Sequence, residues 1–405
     1  MKKVSKEKNI NISEKVQMNK NKRLVGLIVL IVTIVLVIVL FFATGFYKTF
    51  FEFLGFEVDR EYTAEGIAVS FNPQGEYMIS SADNTIIICD ENGITGYDNS
   101  GTWKWHNDVK YVSPVLVSYN DFVLIHDSES KCVSAFNSSG IMWSKTFDHC
   151  VRNAVAHDGT TFVSVITDSE EYNSEIYIID YSENSKDVFS GKFVDEYIVS
   201  SSISSDCSQF VLSGFYSEGE QAKGVMMFFK MSDGEVFSTE VFDSIYPYVE
   251  YVDNDLLVAA NSDSLITVAK TASIDTKDDK ITTLWSRAVD SDVVISIDTL
   301  LKEGFCVSFG SSDENSEKSK VVFYDKKGVL SETVEYSERI KNIKAGKDNF
   351  IISSNNSVYL LSKSFKQQSE YTSLSDVEIA EFINSERVLV QMKSRLMIVS
   401  FKVKK

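Results

Sequence analysis

Three observations predict an all-β fold for residues 65–405. Beyond about residue 57 helical signals nearly vanish, and short runs rich in Val, Ile, Phe, Tyr and Ser are broken every eight to twelve residues by Gly, Asn, Asp or Ser. Only three prolines interrupt the 405 residues, which suits strands joined by tight turns. Units beginning near Gly66, Lys110, Cys150, Glu196, Tyr246, Asp292, Ile340 and Asp376 recur about every 38 to 50 residues, each with room for four strands. Four short antiparallel strands per repeat of this length is the pattern of a propeller blade, whose faces are buried on neighbouring blades. The expectation is an eight-bladed β-propeller, or a seven-bladed one because the unit at Ile340 is short, preceded by a single N-terminal transmembrane helix.

The chain opens on a basic tail, residues 1–23, with eight Lys or Arg and two Glu, a net charge of +6. Because the whole chain carries −18, the remainder carries −24. Residues 24–47, from Leu24 to Tyr47, contain no charge and are flanked by Arg23 and Lys48. As a helix this run reaches roughly 36 Å, enough to cross a hydrocarbon core of about 30 Å. It exceeds a signal-peptide core, and Ala43-Thr44-Gly45 lacks the small-x-small cleavage pattern, so a retained anchor is expected. The positive-inside rule then places the N-terminus in the cytoplasm and the C-terminal body outside the cell membrane.

Residues 48–64 form an aromatic juxtamembrane segment and a closing strand. Phe46, Tyr47, Phe50, Phe51, Phe53, Leu54 and Phe56 suit the membrane interface. In the first unit the expected strands are GIAVSF, EYMISSA, the run DNTIIICDENG and GTWKW. The last unit, from Asp376, supplies only three: VEIAEFI, RVLVQMK and RLMIVSFKV. Its fourth strand is expected from the other end of the ectodomain, around residues 57–63, about nine residues beyond the span. Such closure removes the exposed edges that invite aggregation.

Residues 71–90, FNPQGEYMISSADNTIIICD, resemble a WD-type repeat, and residues 132–143, CVSAFNSSGIMW, resemble the blade signature of quinoprotein-like (PQQ-like) propellers. The Gly-then-ring pattern recurs: Gly101 before Trp103 and Trp105, Gly140 before Trp143, Gly234 before Phe237, and Gly328 before Leu330, while Trp285 stands without it. The resemblance implies that these rings dock between blades. With the membrane segment, the chain resembles membrane-anchored quinoprotein-like propellers of low-GC Gram-positive bacteria, a family of unassigned function. It is also similar in fold to propeller lipoproteins that assist outer-membrane protein assembly, without their lipobox cysteine.

No residue pattern points to a catalytic, cofactor or metal site. The adjacent cysteine pair of quinoprotein dehydrogenases is absent; Cys89, Cys132, Cys150, Cys207 and Cys306 are widely spaced and read as small apolar residues, with Cys132 and Cys150 the pair to test for a bridge. His106, His126, His149 and His157 form no i, i+3 or i, i+4 metal pattern, and His149 beside Cys150 lacks a third partner. Acidic groups at Asp83, Asp90 and Glu91, Asp168 with Glu170 and Glu171, Asp253 with Asp255, and the loop Asp313-Glu314-Asn315-Ser316-Glu317 read as solvated turns. No Walker or dinucleotide motif occurs, and a body of charge −24 disfavours nucleic acid. The expected function is a non-catalytic scaffold at the outer face of the cytoplasmic membrane. It would touch the bilayer through residues 24–47 and bind an envelope protein or peptide. The alternative is an exported glycan hydrolase or lyase with carboxylates at a central funnel.

Overall fold

The structure is a computed structural model. It describes residues 32–39 and residues 62–404, except 70–75, 120, 157–161, 182–185, 262–264, 271–281, 289–291, 301–303, 312–316, 326, 328, 347–348 and 394. The chain divides into two compact units, Met1–Arg60 and Glu61–Lys405. In the first, residues 32–39 form a helix with exposed Val, Ile and Leu side chains. Eight residues of helix rise about 12 Å, and among the described residues no helix is long and apolar enough to cross a membrane. Of the expected span over 24–47, only residues 32–39 lie within the described residues. The rest of it, the basic tail 1–23 and the aromatic segment up to residue 61 lie outside the described residues.

The second unit is all-β. Its first strand, β1 (Tyr62–Ala68), stands apart from the sheets that follow it. Sheet 1 holds β2 (Met78–Ala82), β3 (Thr85–Asp90), β4 (Gly93–Asp98) and β5 (Trp103–Asn107). Sheet 2 holds β6 (Pro114–Ser118), β7 (Val123–Asp127), β8 (Cys132–Asn137) and β9 (Gly140–Thr146). Sheet 3 holds β10 (Val151–Ala156), β11 (Phe162–Thr167), β12 (Ser174–Asp180) and β13 (Lys186–Phe193). Sheet 4 holds β14 (Tyr197–Ile203), β15 (Gln209–Glu218), β16 (Gln221–Lys230) and β17 (Val236–Phe242). Sheet 5 holds β18 (Tyr248–Tyr251), β19 (Leu256–Ala260), β20 (Leu265–Lys270) and β21 (Thr282–Ala288). Sheet 6 holds β22 (Asp292–Leu300), β23 (Gly304–Ser311), β24 (Ser319–Asp325) and β25 (Leu330–Tyr336). Sheet 7 holds β26 (Ile340–Ala345), β27 (Asn349–Ser354), β28 (Ser357–Ser362) and β29 (Gln367–Thr372). Sheet 8 holds β30 (Val377–Asn384), β31 (Arg387–Met392), β32 (Arg395–Val403) and, as its fourth strand, β1.

The short unit at Ile340 thus carries all four of its strands, and the described strands make eight four-stranded sheets. Each sheet buries both faces. Ile87 and Cys89 of sheet 1 pack with Val123 and Ile125 of sheet 2, and Phe122 and Leu124 with Val151 and Val163 of sheet 3. The series continues through Ile178 with Phe210, Val211 with Leu257, Val258 with Phe305, Phe323 with Phe350, and Ile351 with Val390. It closes where Ile86 and Ile88 of sheet 1 meet Leu389 and Ile398 of sheet 8. This double burial explains the unbroken apolar runs of second strands such as Val123–Asp127 and Leu256–Ala260, which do not alternate in the way a half-exposed strand does. The product is a closed β-propeller.

Closure uses the N-terminal strand, shifted from the expected position. Strand β1 pairs antiparallel with β32, Tyr62 opposite Val403 and Ala68 opposite Met397. Residues 66–68 therefore complete sheet 8 instead of opening sheet 1, and the expected strand 57–63 moves to Tyr62–Ala68. Sheet 1 makes up the difference with β4, hidden in the sequence because only Glu91 and Asn92 separate it from β3. Asp90 accepts the Asn92 N–H at 2.8 Å and turns the chain directly into Ile94-Thr95-Gly96, residues that look like loop.

The Gly-then-ring signature has a structural cause. Sheets 1 to 7 all carry a register shift between their third and fourth strands, for example at Gly96/Tyr97 and Ala135/Phe136, whereas β1 pairs with β32 without one. A bulge re-aims the side chains of the bulged strand. In sheet 1 it lays Trp105 over Gly96, stacked on Phe136 of sheet 2 at 5.8 Å. In sheet 2 it buries Trp143 against Tyr181, at 6.0 Å. Trp103 and Leu330 instead stay exposed, and the Trp285 side chain lies outside the described residues.

A Cβ on Gly96 would lie 2.3 Å from the Trp105 ring. Gly96→Val is expected to expel the indole and cost about 1–3 kcal/mol, read as a lower denaturation midpoint with red-shifted tryptophan fluorescence.

Candidate functional site

First strands of neighbouring sheets approach one another around the ring, so β2, β6, β10, β14, β18, β22, β26 and β30 form its inner course. Arg152 on β10 pairs with Asp168, while the last four, β18, β22, β26 and β30, carry Glu250, Asp298, Lys344 and Glu381, whose charges act on one another across the sheets. Each of these four occupies a similar place, five or six residues before the second strand of its sheet begins. Stacking the blades therefore brings together residues that lie up to 131 positions apart, from Glu250 to Glu381.

Glu381 is buried and accepts the Ser80 hydroxyl at 2.8 Å and the Ser81 N–H at 3.2 Å, while Ser81 Oγ donates to the Phe382 carbonyl at 2.7 Å. Burial raises its pKa; the Lys344 cation and the two serine contacts oppose the rise. Asp298 accepts the Ala345 N–H at 3.2 Å. Burial raises its pKa from 3.8 to about 7, with Lys344 opposing and the Glu250 charge adding to the rise. The Tyr248 hydroxyl donates to Glu250, and burial with that carboxylate holds the phenol well above its usual range. Lys344 thus acts on carboxylates of the sheets on both sides of it.

Hydrogen bonds extend this polar course to four interfaces between sheets. Tyr119 accepts the Ala156 N–H at 2.6 Å, Ser201 donates to Ser164 at 2.7 Å, and Ser202 accepts the Tyr251 N–H at 2.9 Å. Lys341 reaches the Val377 carbonyl at 2.7 Å. Each bond links one sheet to the next, so the inner course fixes sheet against sheet.

The carboxylates singled out in the sequence are dispersed at turns. Asp83 lies in a β2–β3 turn with φ of 45°, followed by Asn84 at 58°, and accepts the Ser138 hydroxyl. Asp90 holds the next turn, with Glu91 exposed beside it. Asp168 pairs with Arg152, while Glu170 and Glu171 are exposed. Asp253 and Asp255 sit in the β18–β19 connection. Of the acidic loop at 313–317, only Glu317 lies within the described residues. Among the described residues no group of three His, Cys, Asp or Glu could hold a metal ion.

The histidines do not converge either. His106 meets Thr95 through Nδ1 at 2.9 Å and Asp108 through Nε2 at 3.3 Å. His126 is buried on β7, and burial pulls its pKa down to about 4. His149 stands in the β9–β10 connection, and His157 lies outside the described residues. All five cysteines are free, including Cys132 and Cys150. Burial pushes the Cys89 thiol up to about 12 and the Cys306 thiol well above its usual range, with neighbouring carboxylates adding to both. Neither is a thiolate nucleophile at neutral pH.

Glu250, Asp298, Lys344 and Glu381 were not among the residues marked in the sequence. The one signal for them is charge inside an apolar first strand, as in VEIAEFI with Glu378 and Glu381, and it says nothing about which other strands lie beside it.

A family profile described as a family of unknown function (DUF5711) matches residues 59–401. The chain belongs to this family. The matched range begins just before β1 and ends within β32, so the DUF5711 unit coincides with the closed ring. Comparison with curated protein sequences gives no match. Among solved structures the chain is similar to BamB from Moraxella catarrhalis, at 14% identity and TM-score 0.50, covering 84% of this chain and 99% of that one. It is similar to Sqt1 from Saccharomyces cerevisiae at 9% identity and TM-score 0.55, covering 84% and 100%. A third is Chaetomium thermophilum Sqt1 bound to the N-terminus of the ribosomal protein L10, at 10% identity and TM-score 0.50, covering 79% and 94%. At these identities the likeness is one of fold.

Two consequences are measurable. Folded Asp298 keeps its proton to about pH 7 where the unfolded chain releases it near 3.8, so its contribution to stability falls as pH rises between those values. His126 has the opposite sign: neutral in the fold down to about pH 4, it costs stability as pH falls below 6.5. Urea titrations between about pH 4 and 7 should show Asp298→Asn removing the loss that grows as pH rises and His126→Phe the loss that grows as pH falls, each on the order of a few kcal/mol. Alkylation of the native chain should leave Cys89 and Cys306 unmodified and label Cys132, with no mass difference between reduced and unreduced samples.

Proposed function

We propose that this DUF5711 chain is a non-catalytic protein-interaction scaffold, a β-propeller carried on a membrane anchor at the outer face of the cytoplasmic membrane. The observation that carries the scaffold reading is the use made of the ionisable groups between sheets: buried Glu381, half-buried Asp298 and Lys344, and their hydrogen-bond partners tie sheet to sheet. A ring held in this way presents loops of eight sheets in fixed positions, which suits recognition of a protein or peptide. Sqt1, similar in fold, has been seen bound to the N-terminus of a ribosomal protein. The anchor and its orientation rest on the uncharged run of residues 24–47 and the basic residues before it.

One observation favours a second reading. A carboxyl group whose pKa lies near 7, as at Asp298, is poised for general acid–base work, which an exported glycan hydrolase or lyase would need.

Crosslinking of the full chain in its native membrane, followed by identification of the captured proteins, should give a defined partner attached through propeller loops. Turnover of a wall glycan or peptide by the purified chain, abolished by Asp298→Asn with the fold intact, would replace the scaffold reading with the enzymatic one.

A further inference from the structure

Strands β15 and β16 are ten residues each, the longest of the ring. Their flanking strands stop short: β14 reaches β15 only as far as Phe215, opposite Tyr197, and β17 reaches β16 only as far as Gly224, opposite Phe242. The last three ladder pairs, Tyr216 with Lys223, Ser217 with Ala222 and Glu218 with Gln221, therefore project beyond both neighbours. Gly219, at φ 65°, and Glu220 close the tip as a two-residue turn. Among the described residues no strand covers either edge of this projection, and a free strand edge offers backbone N–H and C=O groups to an incoming chain.

The foot of the projection is apolar and its surroundings are acidic. Tyr197 stacks on Phe215 with ring centroids 5.2 Å apart yet is 40% exposed, and Val194, just before it, is 60% exposed. Asp195 and Glu196 lie between them in the chain, and Glu218 and Glu220 occupy the tip. The one cation among the projecting residues 216–223, Lys223, is held by Asp243 at 2.8 Å. An anionic or acidic partner would meet only like charge here.

We propose that this hairpin is a docking edge for an extended basic segment of a partner protein. The segment adds as a strand beside β15 past Tyr197, lays alternate apolar side chains on Val194 and the Tyr197–Phe215 pair, and sets Lys or Arg against Glu218, Glu220 and the Asp195–Glu196 pair. This rests on the scaffold reading and specifies the partner's chemistry. The chain's own basic residues 1–23 are not the occupant, because the proposed anchor separates them from the ring by the bilayer. A second copy would oppose acidic hairpin to acidic hairpin.

The test uses the full chain in lipid nanodiscs and three fluorescent peptides: alternating Lys and Val, alternating Glu and Val, and the Lys/Val peptide broken by a central Pro. Only the first should bind, and its affinity should fall about tenfold or more with Ser217→Pro and, separately, with Glu218→Lys/Glu220→Lys, while both variants keep the parent melting temperature. Equal binding to parent and folded variants, or binding of the Glu/Val peptide, overturns the proposal. A photocrosslinker at position 217 in the native membrane should capture a basic segment of another protein; capture of residues 1–23 or of a second copy overturns it. If membrane crosslinking finds a partner attached only at other loops, the docking edge fails and the scaffold reading stands. If no partner is captured from any loop, the scaffold reading fails as well.

Discussion

The pairing of β1 with β32 is the contact on which the rest of this structure depends. Seven sheets are built from consecutive strands, but the eighth takes its fourth strand from more than 300 residues earlier in the chain. Until that ladder forms, sheet 8 has three strands and leaves the β32 edge open. Contacts between residues so far apart in sequence carry a loop-closure cost that only a cooperative ring repays. The register of β1 with β32 is continuous, without the bulge between third and fourth strands of the other seven sheets.

A ring of sheets buried on both faces has little tolerance for polar groups, yet its inner course is polar at most interfaces. The resolution is pairing across sheets. Glu381 is satisfied by two serines of sheet 1, Asp298 by a backbone amide of sheet 7, and Lys344 offsets both carboxylates. Buried charges held this way add little net stability but discriminate strongly against a wrong neighbour, since a displaced blade would leave a charge unpaired in the interior. Burial at the same interfaces raises the carboxyl pKa values of Glu381 and Asp298, and these contacts oppose the rise.

Much of the fold was legible. The starts of seven units, from Lys110 to Asp376, fall within four residues of the observed first strands, because each follows a turn and begins with an apolar run. The strand missed was β4, whose Gly and Thr content resembles loop, and its omission shifted the first unit by one strand. The acidic residues that stood out in the sequence did so by adjacency, and adjacency marks turns. Glu250, Asp298, Lys344 and Glu381 lie on four different strands, three of which carry a second charge, so nothing local distinguished them.

What the sequence by itself determined is the class of fold, the repeat, the charge contrast between residues 1–23 and the body, and the presence of one long uncharged run. These are properties of composition and period, written within stretches shorter than one blade. Only the tertiary structure decided which strand closes the ring, which four charged residues meet on its inner course, and that the β15–β16 hairpin outruns its neighbours. Each of those depends on register and on packing between sheets, where residues tens to hundreds of positions apart become adjacent.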